Sequence, residues 1–262
     1  MDFVTSQDGT RLAFDRYGDG PPLIYVGGAL NDRRSGVAVA EPLSSRFTLY
    51  YYDRRGRGDS GDTQPFAVER EIEDLAALIS AAGGQAAVFG ISSGGALSLR
   101  AAAALGPGVI PRLAVYEVPF TDGSREALQE RATYAADLAA LLAEGRHGDA
   151  VARFMKLVGT PEDVIAQMRT APFWPTLEPF GPSLAYDSEA VHAFAGGAIP
   201  MEVIKAVEIP VLVMDGGASP PMLRDPARAL AAALPDAHHE TLPGQTHDVA
   251  PEPLARSLAA FL

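Results

Sequence analysis

A chain of 262 residues with 47% hydrophobic and 21% charged side chains has room for one sizeable α/β domain with an insertion, and it is too apolar to be disordered. Its 21 Lys and Arg against 33 Asp and Glu leave a formal net charge of −12, a field that repels phosphate backbones and anionic lipid and argues against nucleic-acid and membrane partners. With no cysteine, disulfides, thiolate metal sites and cysteine nucleophiles are excluded together.

Short apolar runs alternate with Ala- and Leu-rich helical stretches, the pattern of a sheet layered between helices. Residues 2–6 and 10–17 read as a β-hairpin turning at Asp8-Gly9. Leu23 to Val26 reads as a buried strand ending in Gly27-Gly28. Phe47 to Tyr52 is another, running into Asp53-Arg54-Arg55-Gly56-Arg57-Gly58-Asp59-Ser60. A helix is expected over Val68 to Ala82, a strand over Gln85 to Phe89 and, past a turn at Gly90, an Ala-rich helix over Gly94 to Leu105. Arg112 to Tyr116, Ile209 to Met214 and Ala237 to Leu242 complete the strands, and Pro251 to Leu262 closes the chain as a helix. Between Pro119 and Pro200 no buried-strand signal occurs. Helical patterns at Glu126 to Ala143, Ala150 to Val158 and Glu162 to Thr170 precede a Pro- and aromatic-rich piece from Phe173-Trp174-Pro175 to Pro182. We read 120–200 as a helical cap inserted into a core domain of residues 1–119 and 201–262. No apolar run reaches the roughly 18 residues of a membrane span, and Met1 to Ser6 lacks a signal peptide's character. A soluble, cytoplasmic protein is expected.

One segment carries chemistry. Gly90-Ile91-Ser92-Ser93-Gly94 fits the G-x-S-x-G pattern, with a buried strand before it and a helix after it. Small residues around Ser92 let the chain turn sharply enough to expose its hydroxyl, and the following helix N-terminus offers N–H groups to a developing oxyanion. A serine hydroxyl needs a base. Of the five histidines, His147, His192, His238 and His239 fall in the inserted segment or on the last strand, where a bland role is expected. His247 sits in the loop after the last strand, at the sheet edge where active sites of parallel sheets form.

The elbow, the late histidine, Gly27-Gly28 after the third strand and the Asp53–Ser60 segment together resemble the α/β-hydrolase superfamily over essentially the whole chain. The resemblance implies a mostly parallel sheet of about eight strands with helices on both faces. Where that family usually places its acid, past the strand at 209–214, this chain has Ser219 in Gly217-Ala218-Ser219-Pro220, and a serine cannot stabilise an imidazolium as a carboxylate does. Glu117, at the end of the preceding strand, is placed to fill the role; Asp215 is the competitor, and Asp248 adjoins the histidine but should point away. The zearalenone-opening lactonases are similar in three features, which here are Ser92-Ser93-Gly94, Glu117-Val118-Pro119 and Gly217-Ala218-Ser219-Pro220. That resemblance implies a triad of Ser92, Glu117 and His247 and an oxyanion hole of the Gly28 and Ser93 N–H groups. It also implies that Trp174 contacts the substrate.

Phe120, with Phe173, Trp174, Phe180 and Tyr186, is a candidate for an apolar pocket; packing the cap onto the sheet is the bland alternative. Arg54, Arg55 and Arg57 are expected to brace their loop through salt bridges rather than hold substrate, and Asp53 to organise it. No metal-ligand cluster or phosphate-cradling loop is visible. The expected partner is a small-molecule ester or lactone, with no cofactor and no metal; a homodimer is left open. Two other classes stand beside hydrolysis: a cofactor-free lyase, cyclase or dioxygenase using His247 as base, and a binding protein without turnover.

Overall fold

The computed structural model describes residues 1–192 and 196–262. The hairpin forms as β1 (Asp2–Thr5) and β2 (Arg11–Tyr17), followed by β3 (Pro22–Val26), α1 (Val37–Leu43), β4 (Thr48–Tyr52) and α2 (Val68–Ala81). Next come β5 (Ala87–Ile91), α3 (Ser93–Leu105) and β6 (Leu113–Tyr116). The expected cap region holds α4 (Arg125–Ala143), α5 (His147–Leu157), α6 (Glu162–Arg169), α7 (Trp174–Leu177) and α8 (Leu184–His192). After α9 (Met201–Lys205) the chain ends with β7 (Val211–Gly216), α10 (Pro221–Ala233), β8 (Ala237–Leu242) and α11 (Pro251–Phe261).

The eight strands form one sheet in the order β1-β2-β4-β3-β5-β6-β7-β8, antiparallel through β1, β2 and β4 and parallel from β4 onward. The chain winds from β3 outward to β4 and then returns to β5 on the other side of β3. The C-terminal ends of β3 and β5 therefore flank the point where winding reverses, the place an open parallel sheet leaves a crevice.

Strand periodicity sorts the core into two layers. Leu113 and Val115 face α2, α3 and α10 together with Ile24, Val26, Val88, Val211 and Val213, whereas Ala114 and Tyr116 face α1 and α11 with Tyr25, Tyr51, Phe89, Leu212 and Met214. Each such aliphatic side chain contributes about 1.5–3 kcal/mol by leaving water. A third cluster belongs to the inserted helices: Tyr134, Leu138, Val151, Met155, Ile165, Trp174 and Leu184, with Ala29 and Leu30 packed against it. The helix α8 also puts Ala190 and Val191 into the main core. Among the described residues no helix is long and apolar enough to cross a membrane.

Two strand ends and two helices depart from the sequence expectation in ways that bear on the architecture. Strand β5 continues to Ile91 instead of Phe89, so the serine follows the strand directly. Strand β7 continues through Asp215 and Gly216, weak strand formers held by pairing to Thr241 and Leu242 of β8. The helices α1 and α10, which no sequence pattern announced, contain Pro42 and Pro226, residues that read as helix breakers.

The turn from β5 into α3 is so tight that a Cβ on Gly94 would sit 2.2 Å from the Val26 carbonyl oxygen and one on Gly90 would sit 2.6 Å from the Gly94 carbonyl oxygen. Gly94→Ala should therefore destabilise the chain by about 1–3 kcal/mol through forced backbone movement. Gly108→Ala, where a Cβ meets nothing within 4 Å, should change stability by less than about 0.5 kcal/mol. Urea titration of both variants checks the contrast, and equal midpoints would contradict it.

Candidate active site

The ends of β5, β6 and β8, on one side of the sheet with β7 between the last two, deliver the site. Ser92 leaves β5 with φ 56 and ψ −127, its N–H donating to the Tyr116 carbonyl (2.9 Å) at the end of β6. Glu117 follows Tyr116 with φ 45, its N–H donating to Met214 of β7 (3.0 Å). The loop after β8 is tied to the loop after β7, since Gly217 N–H donates to Leu242 and Ala218 N–H to Gln245, each at 2.8 Å. The Tyr116 hydroxyl donates to the Thr246 carbonyl at 2.5 Å, fixing the residue beside His247. Among the described residues, the non-glycine positions with left-handed φ are Leu30, Ser92 and Glu117, all at this sheet edge. Each such conformation costs on the order of 1–3 kcal/mol and persists only where its surroundings enforce it.

The Glu117 carboxylate is 1% exposed. One oxygen accepts the Gly216 N–H at 2.8 Å and the other lies 2.7 Å from His247 Nδ1. An ionised carboxylate only accepts, so His247 Nδ1 is the donor in this bond, which in a neutral imidazole makes Nε2 the acceptor nitrogen. Burial by itself raises the Glu117 pKa, but His247, the adjacent Ser219 hydroxyl and the Gly216 N–H together bring it below its ordinary value of 4.5. Ser219, standing where an acid was expected, is buried beside this carboxylate; its N–H donates to the Gly216 carbonyl (3.0 Å), and its hydroxyl makes no hydrogen bond of good geometry. The competing carboxylate is engaged elsewhere: Asp215 is buried within β7 and pairs with His239 Nε2 of β8 at 2.7 Å. The His247 side chain is 45% exposed and Ser92 is half-buried, so solvent reaches both. Ser92 and His247 are not hydrogen-bonded to each other, a contact that often tightens only once substrate is seated.

On the other side of Ser92 lies the loop after β3. A Cβ on Gly28 would come 3.0 Å from Ser92 Cβ and 3.6 Å from its hydroxyl, so the loop backbone lies in close contact with the serine and a side chain there would press on it. Ser93 opens α3, where its N–H is one of the four that a helix leaves without an internal partner. The two aromatic residues considered for substrate contact are both buried. Trp174 packs inside the cap's own core with Arg169 over its ring (5.5 Å), and Phe120 belongs to the main core. Packing alone explains both positions.

The arginine-rich loop braces, as expected. Asp53 accepts the N–H groups of Arg33 (2.7 Å) and Asp59 (2.8 Å), and Arg55 grips Asp74 at 2.6 and 2.8 Å. Sequence reasoning missed Asp187 of α8. Its carboxylate accepts from Ser93 Oγ, Arg54 and Arg57 at 2.7–2.8 Å. Nothing local marks it, because its partners are 94 to 133 residues away. Among the described residues no three His, Asp or Glu side chains gather as metal ligands would.

A family model described as the alpha/beta hydrolase family matches residues 27–260, and the chain belongs to that family. An alpha/beta hydrolase from Sphaerobacter thermophilus shares 51% identity, with 99% of each chain covered and a TM-score of 0.87. The enol-lactonase from Burkholderia xenovorans superposes with a TM-score of 0.68 at 22% identity, covering 99% of each chain, a likeness of fold. Among curated proteins, N-formylmaleamate deformylase of Pseudomonas putida is 31% identical over 153 residues, covering 57% of this chain and 57% of the relative. The match thus spans little more than half of that protein.

The Glu117 hydrogen bonds link stability to pH. A carboxyl with a lower pKa folded than unfolded binds protons more readily when unfolded, so acid favours unfolding. Its contribution is complete above its ordinary value of 4.5 and is lost as pH falls through the depressed one. Wild type should exceed Glu117→Gln in stability by about 1–2 kcal/mol at pH 7, and the gap should shrink as the pH is lowered through the carboxylate range. Urea midpoints across that range check this; a gap that widens in acid would contradict it.

Proposed function

We propose that this chain is a serine hydrolase that cleaves a carboxylic ester or lactone through an acyl-enzyme. The observation that carries the reading is the buried Glu117 carboxylate 2.7 Å from His247 Nδ1, in the same sheet edge as a serine held on a strained strand-to-helix turn. In this reading His247 Nε2 takes the Ser92 proton as the hydroxyl attacks the carbonyl carbon. The Gly28 and Ser93 N–H groups receive the oxyanion, a donor of this kind being worth about 2.7–4 kcal/mol. His247 then protonates the leaving alcohol and activates the water that releases the acid, while Glu117 keeps the imidazole in one tautomer and stabilises its charged form.

The finer form of the proposal is a zearalenone-type macrolactone, supported by the likeness of Glu117-Val118-Pro119 and Gly217-Ala218-Ser219-Pro220 to the lactonases that open it. In a lactone the leaving alcohol stays tethered to the acyl group, so the inserted helices would have to keep it from re-attacking while water enters. Mass spectrometry of a pooled panel of esters and lactones, zearalenone included, with an N-formyl compound added for the deformylase relative, tests both levels. With wild type the expected result is a ring-opened product heavier by one water from a lactone, or an acid and an alcohol whose masses sum to the ester plus one water, and neither with Ser92→Ala. Esters alone would keep the mechanism and remove the macrolactone. No serine-dependent product would sink hydrolysis and favour base chemistry by His247 alone.

A further inference from the structure

A second set of buried charges, outside the triad, reaches the residue that follows Ser92. Arg54 and Arg57 are 1% and 2% exposed, although they sit in a loop of an acidic protein with ample surface for them. Arg54 grips Glu71 of α2 through two bonds of 2.7 Å and sends Nη1 to Asp187 (2.7 Å) and to the Gly27 carbonyl (3.2 Å). Arg57 divides its fork between the Gly28 carbonyl (2.6 Å) and Asp187 (2.8 Å). The same Asp187 oxygen accepts the Ser93 hydroxyl at 2.7 Å. Two guanidiniums are thus aimed at two consecutive carbonyls beside the serine, and one carboxylate from α8 holds both of them and the residue that follows the serine.

The peptide group transmits this. The Gly27 carbonyl shares a rigid plane with the Gly28 N–H, and the Gly28 carbonyl shares one with the Ala29 N–H. A carbonyl that accepts from a cation polarises its peptide and makes the N–H across it a stronger donor, and in a desolvated site that polarisation is little screened. Bracing alone does not need this expense: burying ion pairs is often no better than apolar packing, and a brace has no reason to end on these carbonyls.

Resting on the hydrolase reading above, we propose that Asp187 and Arg57 are positioning residues for oxyanion stabilisation. Asp187 fixes Arg57, with Arg54 beside it, against the Gly27–Gly28 carbonyls, so that the Gly28 N–H is polarised through the Gly27 carbonyl by Arg54 and held in place from its own carbonyl by Arg57. Ser93 is held from the other side by the same carboxylate. The segment between β6 and β7, through α8, therefore sets the geometry of the site.

The test is the second-order rate at which a fluorophosphonate labels Ser92, read by intact-protein mass, because the phosphoryl oxygen of that reagent seats against the same donors. Asp187→Asn and Arg57→Lys should each label at least tenfold more slowly than wild type, yet reach the same final occupancy. A merely structural role would lower the final occupancy and the melting temperature and leave the rate of the folded fraction unchanged. Asp187→Asn is diagnostic in sign. Removing a negative charge near an oxyanion should speed the reaction if only charge matters, and should slow it if placement matters. Should either variant not fold, Ser93→Ala, which removes one donor from Asp187 and keeps its N–H, should slow labelling about threefold. Rates within twofold of wild type in the folded variants would overturn the proposal and leave the hydrolase reading intact. Wild type that is not labelled at Ser92 would overturn the hydrolase reading itself.

Discussion

A carboxylate sealed from water has to be satisfied by what surrounds it, and at Glu117 the surroundings are the proposed catalytic groups. Its two oxygens are taken by the Gly216 N–H and by His247. For those bonds to form, β6 must end where it does, β7 must continue one pair further along β8, and the loop after β8 must fold back onto β7. The contact between Tyr116 and Thr246 and the backbone bonds at 217 and 218 hold that last loop in place. Much of the architecture on this side of the sheet can be understood as the set of conditions under which one buried charge is tolerable.

The other side of Ser92 is governed by close approach. Glycines at 90 and 94 bring strand and helix backbones nearer than a side chain permits, Gly28 lies in tight contact with the serine, and Ser92 between them holds a left-handed φ. Leu30 and Glu117 share that unfavourable state. The strain is confined to a region clamped by two layers of aliphatic packing and by the ion pairs of Arg54, Arg55 and Arg57, so the fold can hold conformations that an isolated chain would abandon. Rigidity there has a chemical meaning, since donors that are already in place need no reorganisation when charge develops.

What could be read from the sequence follows from how local each signal is. The elbow is five consecutive residues between a strand and a helix, and its pattern survives translation into one dimension. Glu117 was legible indirectly, because Ser219 stands where a carboxylate was expected and an acid had to come from elsewhere. The structure pairs Asp215 with His239 across two strands, a contact no spacing rule anticipates. Asp187 was invisible for the same reason: an aspartate in an ordinary helix acquires its partners only through tertiary packing. The helices carrying Pro42 and Pro226 were missed because their breakers are outweighed by burial against the sheet, as tertiary context commonly outweighs propensity. Trp174 stood out as the chain's single tryptophan, and rarity did not reveal that it anchors the core of the inserted helices.

The account stands or falls on which carboxylate serves His247. Turnover of Glu117→Gln and Asp215→Asn on whichever ester or lactone the wild type hydrolyses, with active sites counted by covalent labelling, separates the two. We expect Glu117→Gln to lose about 10³- to 10⁴-fold in kcat, the scale on which orienting carboxylates matter in such triads, and Asp215→Asn to stay within a few-fold of wild type. Full activity in Glu117→Gln beside collapse in Asp215→Asn would contradict the account.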